Sequence, residues 1–202
     1  MTRKNSGTGS LGWSELESEL TREAEALARV LVKTRAQLVL AESCTGGMVA
    51  AALTRVPGIS KHLCGSSVVY QSETKMQWLE IPQREIRRFG TESLEMTQLL
   101  ASAVLERTAQ ATVSAAITGD LGPQGNVGTI FMACEIRKPL QLAVADRVEL
   151  LSLVRSPART LRSKNRRLAL QLLASHHLLA MVRQLLIDTL RSSRTPEKGS
   201  FY

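Results

Sequence analysis

The chain has 202 residues, 44% hydrophobic, 22% charged and only 3% aromatic, with a formal charge of +8 and a pI near 9.9. That composition excludes a disordered chain and suits one domain of ordinary size, while three scattered cysteines (Cys44, Cys64, Cys134) make neither a disulfide framework nor a CxxC metal pattern. Residues 1–136 hold 13 Lys+Arg against 14 Asp+Glu and residues 137–202 hold 13 against 4, so the basic excess belongs to the last third.

Residues 1–13, rich in Gly, Ser and Thr, read as an unstructured leader before a domain over 14–190. Ser14 can cap a helix reaching Lys33, in which Leu16, Leu20, Leu27, Val30 and Leu31 recur at helical spacing. Residues 37–41 form a short apolar run, expected as a buried strand, which stops at Glu42-Ser43-Cys44-Thr45-Gly46-Gly47. Met48 to Val56 reads as a buried helix closed by Pro57-Gly58, and Ser66 to Tyr70 as a second strand. An amphipathic helix is expected from Thr91 or Ser93 to Gln110, with Leu94, Leu99, Val104 and Leu105 in the core. Strands are expected over 112–118, 127–136 and 148–154, with a glycine turn over 119–125. A long helix, or two, follows over 157–190, with Leu168, Leu172, Leu179 and Leu186 inside, and residues 191–202 read as a loose tail.

Alternating strands and helices give the class α/β, a single three-layer domain whose mostly parallel or mixed sheet is flanked by helices. No apolar run approaches the ~18 residues of a membrane span, since Arg55 and His176-His177 interrupt the longest candidates, and the polar N-terminus lacks a signal-peptide core. A cytoplasmic protein with no membrane partner is the expectation. Aromatics that could stack on bases are nearly absent from the basic third, which argues against nucleic acid.

In open α/β sheets ligands sit beyond the C-terminal strand ends. Three polar segments follow predicted strands: Glu42 to Gly47, Tyr70 to Lys75 and Thr118 to Gly125. The first places Ser43, Cys44 and Thr45 ahead of Gly46-Gly47 at a helix start, where backbone N–H groups can face an oxyanion or phosphate. It is not a Walker loop, a GxSxG elbow or an SxxK pair. Helix capping and tight packing explain the same pattern without chemistry.

Ala41-Glu42-Ser43-Cys44-Thr45-Gly46-Gly47, an Ala-rich helix, Pro57-Gly58-Ile59-Ser60, Tyr70, Lys75, Ile81-Pro82, Gly90, and Thr118-Gly119 with Gly122-Pro123 occur in an order and spacing that resemble the CinA C-terminal domain family. The resemblance runs from about Ser14 to about Leu186. Characterised members of that family are nicotinamide-nucleotide amidohydrolases, so it implies deamidation of nicotinamide mononucleotide to nicotinic acid mononucleotide and ammonia. It also implies a homo-oligomer; no cofactor is expected, and no metal either, since no Cys/His/carboxylate cluster has metal-ligand spacing. Carried over, it assigns Ser43 as nucleophile, with Tyr70 and Lys75 in catalysis and the base left open between them. Thr45, Gly46 and Gly47 would supply the oxyanion donors, Thr118 and Gly119 would face the substrate, and Arg162, near Arg159 and Arg166, would neutralise its phosphate.

Cys44 lies inside the motif and reads as a packing residue, and His62, His176 and His177 have no partner motif. The chain departs from the family pattern at Asp120 and Leu121, in a shortened glycine loop, and at Glu92, which would repel a phosphate if it faced the site. An alternative is therefore a non-catalytic relative that binds a nucleotide or a partner through an altered pocket.

Overall fold

The Leu38–Glu42 segment is apolar at every position before its terminal carboxylate, as a strand covered on both faces must be, and it forms β1 with all five residues buried. The computed structural model describes residues 13–137, 139–153 and 165–192. In chain order the elements are α1 (Trp13–Thr34), β1 (Leu38–Glu42), α2 (Met48–Thr54), a 3-10 turn (Ile59–Lys61), β2 (Leu63–Val68), α3 (Ser72–Leu79), α4 (Gln83–Phe89), α5 (Leu94–Glu106), β3 (Val113–Asp120), β4 (Thr129–Ile136), β5 (Leu142–Glu149), α6 (Leu150–Leu153) and α7 (Arg166–Ser192). The sheet order is β2-β1-β3-β4-β5, with β1 parallel to β2 and β3, and β4 antiparallel to both β3 and β5. The sheet is therefore mixed.

Alternation along β1 splits the core in two. Leu38 and Leu40 join Val113, Ala115, Ile117, Ile130 and Met132 in the cluster that receives α1, α2 and α7. Val39 and Ala41 join Ala116 and Ala133 in a second cluster under α5, which contributes Met96, Leu100 and Val104. The chain leaves β1 for β2 through α2 on the first face, then returns to β3, on the other side of β1, through α3–α5 on the second. The C-terminal end of β1 is thus where the strand order reverses, the usual crevice position in such sheets.

Several expected boundaries shift. The last strand is Leu142–Glu149, not 148–154, because Leu150–Leu153 turns helical once the chain runs off the end of β4, where Glu149 faces Thr129. The leucines of that run, not branched at Cβ, favour a helix over an extended edge. α3 and α4 had no counterpart among the expected elements. Leu168 is 42% exposed, because it lies on the outer face of the first turn of α7, whereas Leu172, Leu179 and Leu186 are buried as expected. Leu94 and Leu99 are only half-buried, and Met96, Leu100 and Ala101 take the core side of α5. The long helix begins at Arg166, and the earlier part of the expected 157–190 span, like the leader before Trp13 and the tail beyond Ser192, lies outside the described residues. α7 has the length and apolarity of a membrane span, but its apolar residues pack into the domain core.

Gly119 in β3 has no room for a side chain: a Cβ there would lie 2.5 Å from the Thr129 carbonyl oxygen and 2.8 Å from the Ile130 Cα. Both are backbone atoms of the paired strand and cannot swing aside. Gly119→Ala should destabilise the protein by about 3 kcal/mol, read as a lower urea midpoint at unchanged m-value.

Candidate active site

The alternation that splits the core also separates Glu42 from Ser43. Glu42 turns to the α2 face and is fully buried. Its Oε2 accepts from the Thr45 hydroxyl (2.7 Å) and the backbone N–H groups of Gly47 and Val49 (3.1 Å each). Its Oε1 accepts from the Ala50 N–H (3.0 Å) and the Ser66 hydroxyl (2.9 Å). Five donors thus surround one carboxylate, which does for α2 what an N-cap side chain would do, since Gly47 at the cap position has none to offer. The carboxylate also ties the loop to β2 through Ser66.

Ser43 points to the other face, toward α3, and is held from both sides. Its N–H donates to the Ile117 carbonyl of β3 (3.1 Å), while the preceding Glu42 carbonyl accepts from the Val69 N–H beyond β2 (2.8 Å). Lys75, from the first turn of α3, lies with its Nζ 3.5 Å from Ser43 Oγ and donates to the Val69 carbonyl at 2.7 Å. The lysine is 1% exposed. Burial pushes its pKa below the ordinary value, opposed by the charge of Glu92 and of Cys44. An amine driven toward its neutral form can accept a proton from the hydroxyl beside it. Cys44 offers no competing nucleophile: burial, with Glu92 and against Arg167, pushes its thiol up to about 12.

The remaining expected residues fall into place unevenly. Gly46 and Gly47 do not present free amides, because the Gly46 N–H donates to the Ser43 carbonyl and the Gly47 N–H to Glu42. The glycines are instead needed for the turn, both at positive φ (62° and 95°). Among the described residues the backbone N–H groups of Cys44 and Thr45 donate to no carbonyl or carboxylate, the Cys44 N–H lying by its own thiol, and they are the amides left to face a ligand. Thr118 is buried and pairs with Thr97 (2.7 Å), which itself donates to the Ser93 carbonyl, so its hydroxyl supports α5 rather than the cleft. Gly119 is pressed against β4 as described above. Arg162 and Arg159 lie outside the described residues.

Tyr70 is 56% exposed, and its hydroxyl accepts from Arg167 at 2.6 Å rather than meeting Ser43. Arg167 also donates to the Gly122 carbonyl (2.8 Å), and Gln171, one turn further along α7, donates to the Cys44 carbonyl (3.1 Å). Neither was singled out from the sequence. The available signal was their i, i+4 spacing on an arginine-rich helix start. Glu92 does belong to this neighbourhood: partial desolvation and the charge of Asp120 raise its carboxyl above the usual range, and Lys75 and Arg167 oppose the rise. Among the described residues no group of three His, Cys, Asp or Glu side chains could hold a metal ion.

The family model of the CinA C-terminal domain matches residues 20–177. A CinA-like protein of Desulfotalea psychrophila is 36% identical over 115 residues, 54% of this chain and 28% of the relative. A CinA-like protein of Myxococcus xanthus is 33% identical over 174 residues, 82% of this chain and 38% of the relative. The chain therefore spans well under half the length of these relatives. Among solved structures, the competence-damaged protein (CinA) superfamily protein of Klebsiella pneumoniae superposes with a TM-score of 0.71 at 22% identity, over 84% of this chain and 98% of that one, a likeness of fold.

Replacing the buried carboxylate at β1 by its amide turns one acceptor oxygen into a donor facing other donors. Glu42→Gln should cost about 3 kcal/mol of stability, measured by chemical denaturation, and the loss should persist at high salt because the site is shielded from solvent.

Proposed function

Because the chain belongs to the CinA C-terminal domain family, we propose that it is a cytoplasmic amidohydrolase acting on a carboxamide-bearing nucleotide, nicotinamide mononucleotide being the substrate its motifs imply. The observation that carries this reading is the buried Lys75 Nζ 3.5 Å from Ser43 Oγ at the topological switch point of the sheet.

An amide is a poor electrophile with a poor leaving group, so hydrolysis needs a nucleophile, a proton carrier and oxyanion donors. Ser43 Oγ attacks the carboxamide carbon as its proton passes to neutral Lys75. The N–H groups of Cys44 and Thr45, the amides of the loop not bound to a carbonyl or carboxylate, face the developing oxyanion. Collapse of the tetrahedral adduct expels ammonia with the proton now on Lys75, leaving a Ser43 ester. Water attacks that ester as Lys75 accepts its proton, Lys75 returns the proton to Ser43 Oγ as the ester bond breaks, and the acid departs as its carboxylate, losing its own proton to solvent. Lys75 is favoured over Tyr70 as the base because the phenol is turned outward and held by Arg167. The Val69 carbonyl fixes the amine, so its approach to Ser43 does not depend on a flexible chain.

Purified protein should release ammonia from nicotinamide mononucleotide, and Ser43→Ala should lower kcat by about 1,000-fold. Since the active amine is unprotonated and burial lowers the Lys75 pKa, kcat/KM should rise with pH along a one-proton limb whose midpoint lies below the ordinary lysine value of 10.5. Lys75→Arg, which cannot give up its proton in this range, should be inactive across that limb. Ligand-induced stabilisation without ammonia from any nucleotide carboxamide would instead identify a binding relative with a silent cleft.

A further inference from the structure

A second concavity lies at the end of the sheet far from Ser43. It has a volume of about 400 Å³ and opens where α1 leads into β1, where β3 begins and where β4 ends. β1, five residues and so roughly 17 Å long, separates it from the nucleophile. Small-molecule cavities fall in this size range. Its floor is apolar: Val113 and Ile136 come from the sheet, and Leu186 and Leu190 from the last turns of α7. Leu140 also lines it while remaining 56% exposed, an apolar side chain with little cover of its own.

Every charged side chain lining this cavity is a cation. They are Lys33, Arg35 and Arg137, and among the described residues none of the three has a carboxylate within ion-pair distance. Arg137 donates to the carbonyls of Ala111, Leu105 and Thr108, which fix its guanidinium without neutralising it. Lys33 and Arg35 are exposed. Lys33 suits the negative end of the α1 dipole, but that does not account for Arg35. This residue stops the helix at φ 54°, its N–H donating to the Val32 carbonyl (3.2 Å) while the Ala36 N–H reaches the Leu31 carbonyl (3.1 Å). Glycine is the favoured residue at such a left-handed stop. The chain places an arginine there instead, at the edge of an apolar cavity.

We propose that this cavity is a binding site for a small organic anion with an apolar body, a medium-length acyl carboxylate being its simplest form. A neutral apolar ligand would leave three cations without a counter-charge, and an inorganic anion would leave the leucines in water. An amphipathic anion satisfies both at once, its carboxylate against Arg35 and Lys33 and its chain along Leu140 and Leu190. The site is separate from the Ser43–Lys75 cleft and does not depend on the reaction carried out there.

The 202-residue chain is titrated with the fluorescent anion 8-anilinonaphthalene-1-sulfonate and competed with octanoate or with octanol, which has the same carbon chain and no charge. One probe site should saturate, and octanoate should displace the probe at least about tenfold more effectively than octanol, as one charge-assisted contact would give. Arg35→Gly should weaken octanoate about tenfold while raising Tm by about 2 °C, because glycine relieves the left-handed position. Arg35→Lys, which keeps the charge, should stay within about threefold of the wild type. Leu140→Glu, at an exposed position where the fold is not at stake, should weaken probe and octanoate by about tenfold each. Octanol as effective as octanoate would mean an apolar patch without anion recognition. Unchanged affinity in Arg35→Gly or Leu140→Glu would place the probe elsewhere, and a Tm that falls together with affinity in Arg35→Gly would make the arginine a helix stop only. Each of these results would overturn the proposal.

Discussion

A single buried carboxylate organises the working end of this protein. β1 must be apolar on both faces to fill the centre of the sheet, yet its last residue is Glu42, and an ionised side chain with no exposure has to be surrounded by donors. It finds them in the amides that open α2, in Thr45 and in Ser66. Because the helix start is satisfied from within, it is not available to bind an external anion, and the loop between strand and helix is fixed in shape before any ligand arrives. Ser43 inherits that rigidity. The residue next to the carboxylate can only project to the opposite face, where α3 supplies Lys75.

The pairing of Ser43 with Lys75 therefore depends on the period of a strand rather than on proximity in sequence. Thirty-two positions separate the two residues, and what joins them is the crossover that carries α3 onto the second face. Burial does the electrostatic work: the lysine's hydrogen-bond partners are the Val69 carbonyl and the Ser43 hydroxyl, and the charge of Glu92 only opposes the shift. The neighbouring thiol meets the same desolvation and responds in the opposite chemical sense, becoming harder to ionise and thus inert.

Much of this was legible in the chain. The strand, glycine turn and helix around residues 38–54, the α/β class and the importance of the segments at Ser43 and at Tyr70 to Lys75 all follow from local pattern and motif. The rest was hidden for identifiable reasons. β5 is an edge strand with polar and apolar positions on both faces, so it carries no clean alternation, and the leucine run after it drew the expected strand too far along. Glu42 was visible inside the motif, but its backbone partners lie five to eight positions ahead and Ser66 lies 24 ahead, beyond the reach of an ordinary capping rule. An ionisable residue closing a fully apolar strand was the available clue. Arg167 meets Tyr70 across 97 positions, and only the docking of α7 against the sheet reveals it. Among the described arginines of the last third, Arg183 reaches α1, Arg137 the carbonyls that precede β3 and Arg167 the cleft mouth.

α7 also belongs to two parts of the molecule at once. Its middle and far turns are core, through Leu172, Leu179 and Leu186, and it is joined to α1 by Arg183 and Glu23, while its first turns roof the cleft. A helix transmits displacement along its axis with little bending, and Arg167 and Arg183 are about 24 Å apart along it. The aperture of the cleft is thus set by a lever whose fulcrum is the hydrophobic core, and a change of side-chain volume deep between α1 and α7 would be read at the surface as a change in what the mouth admits.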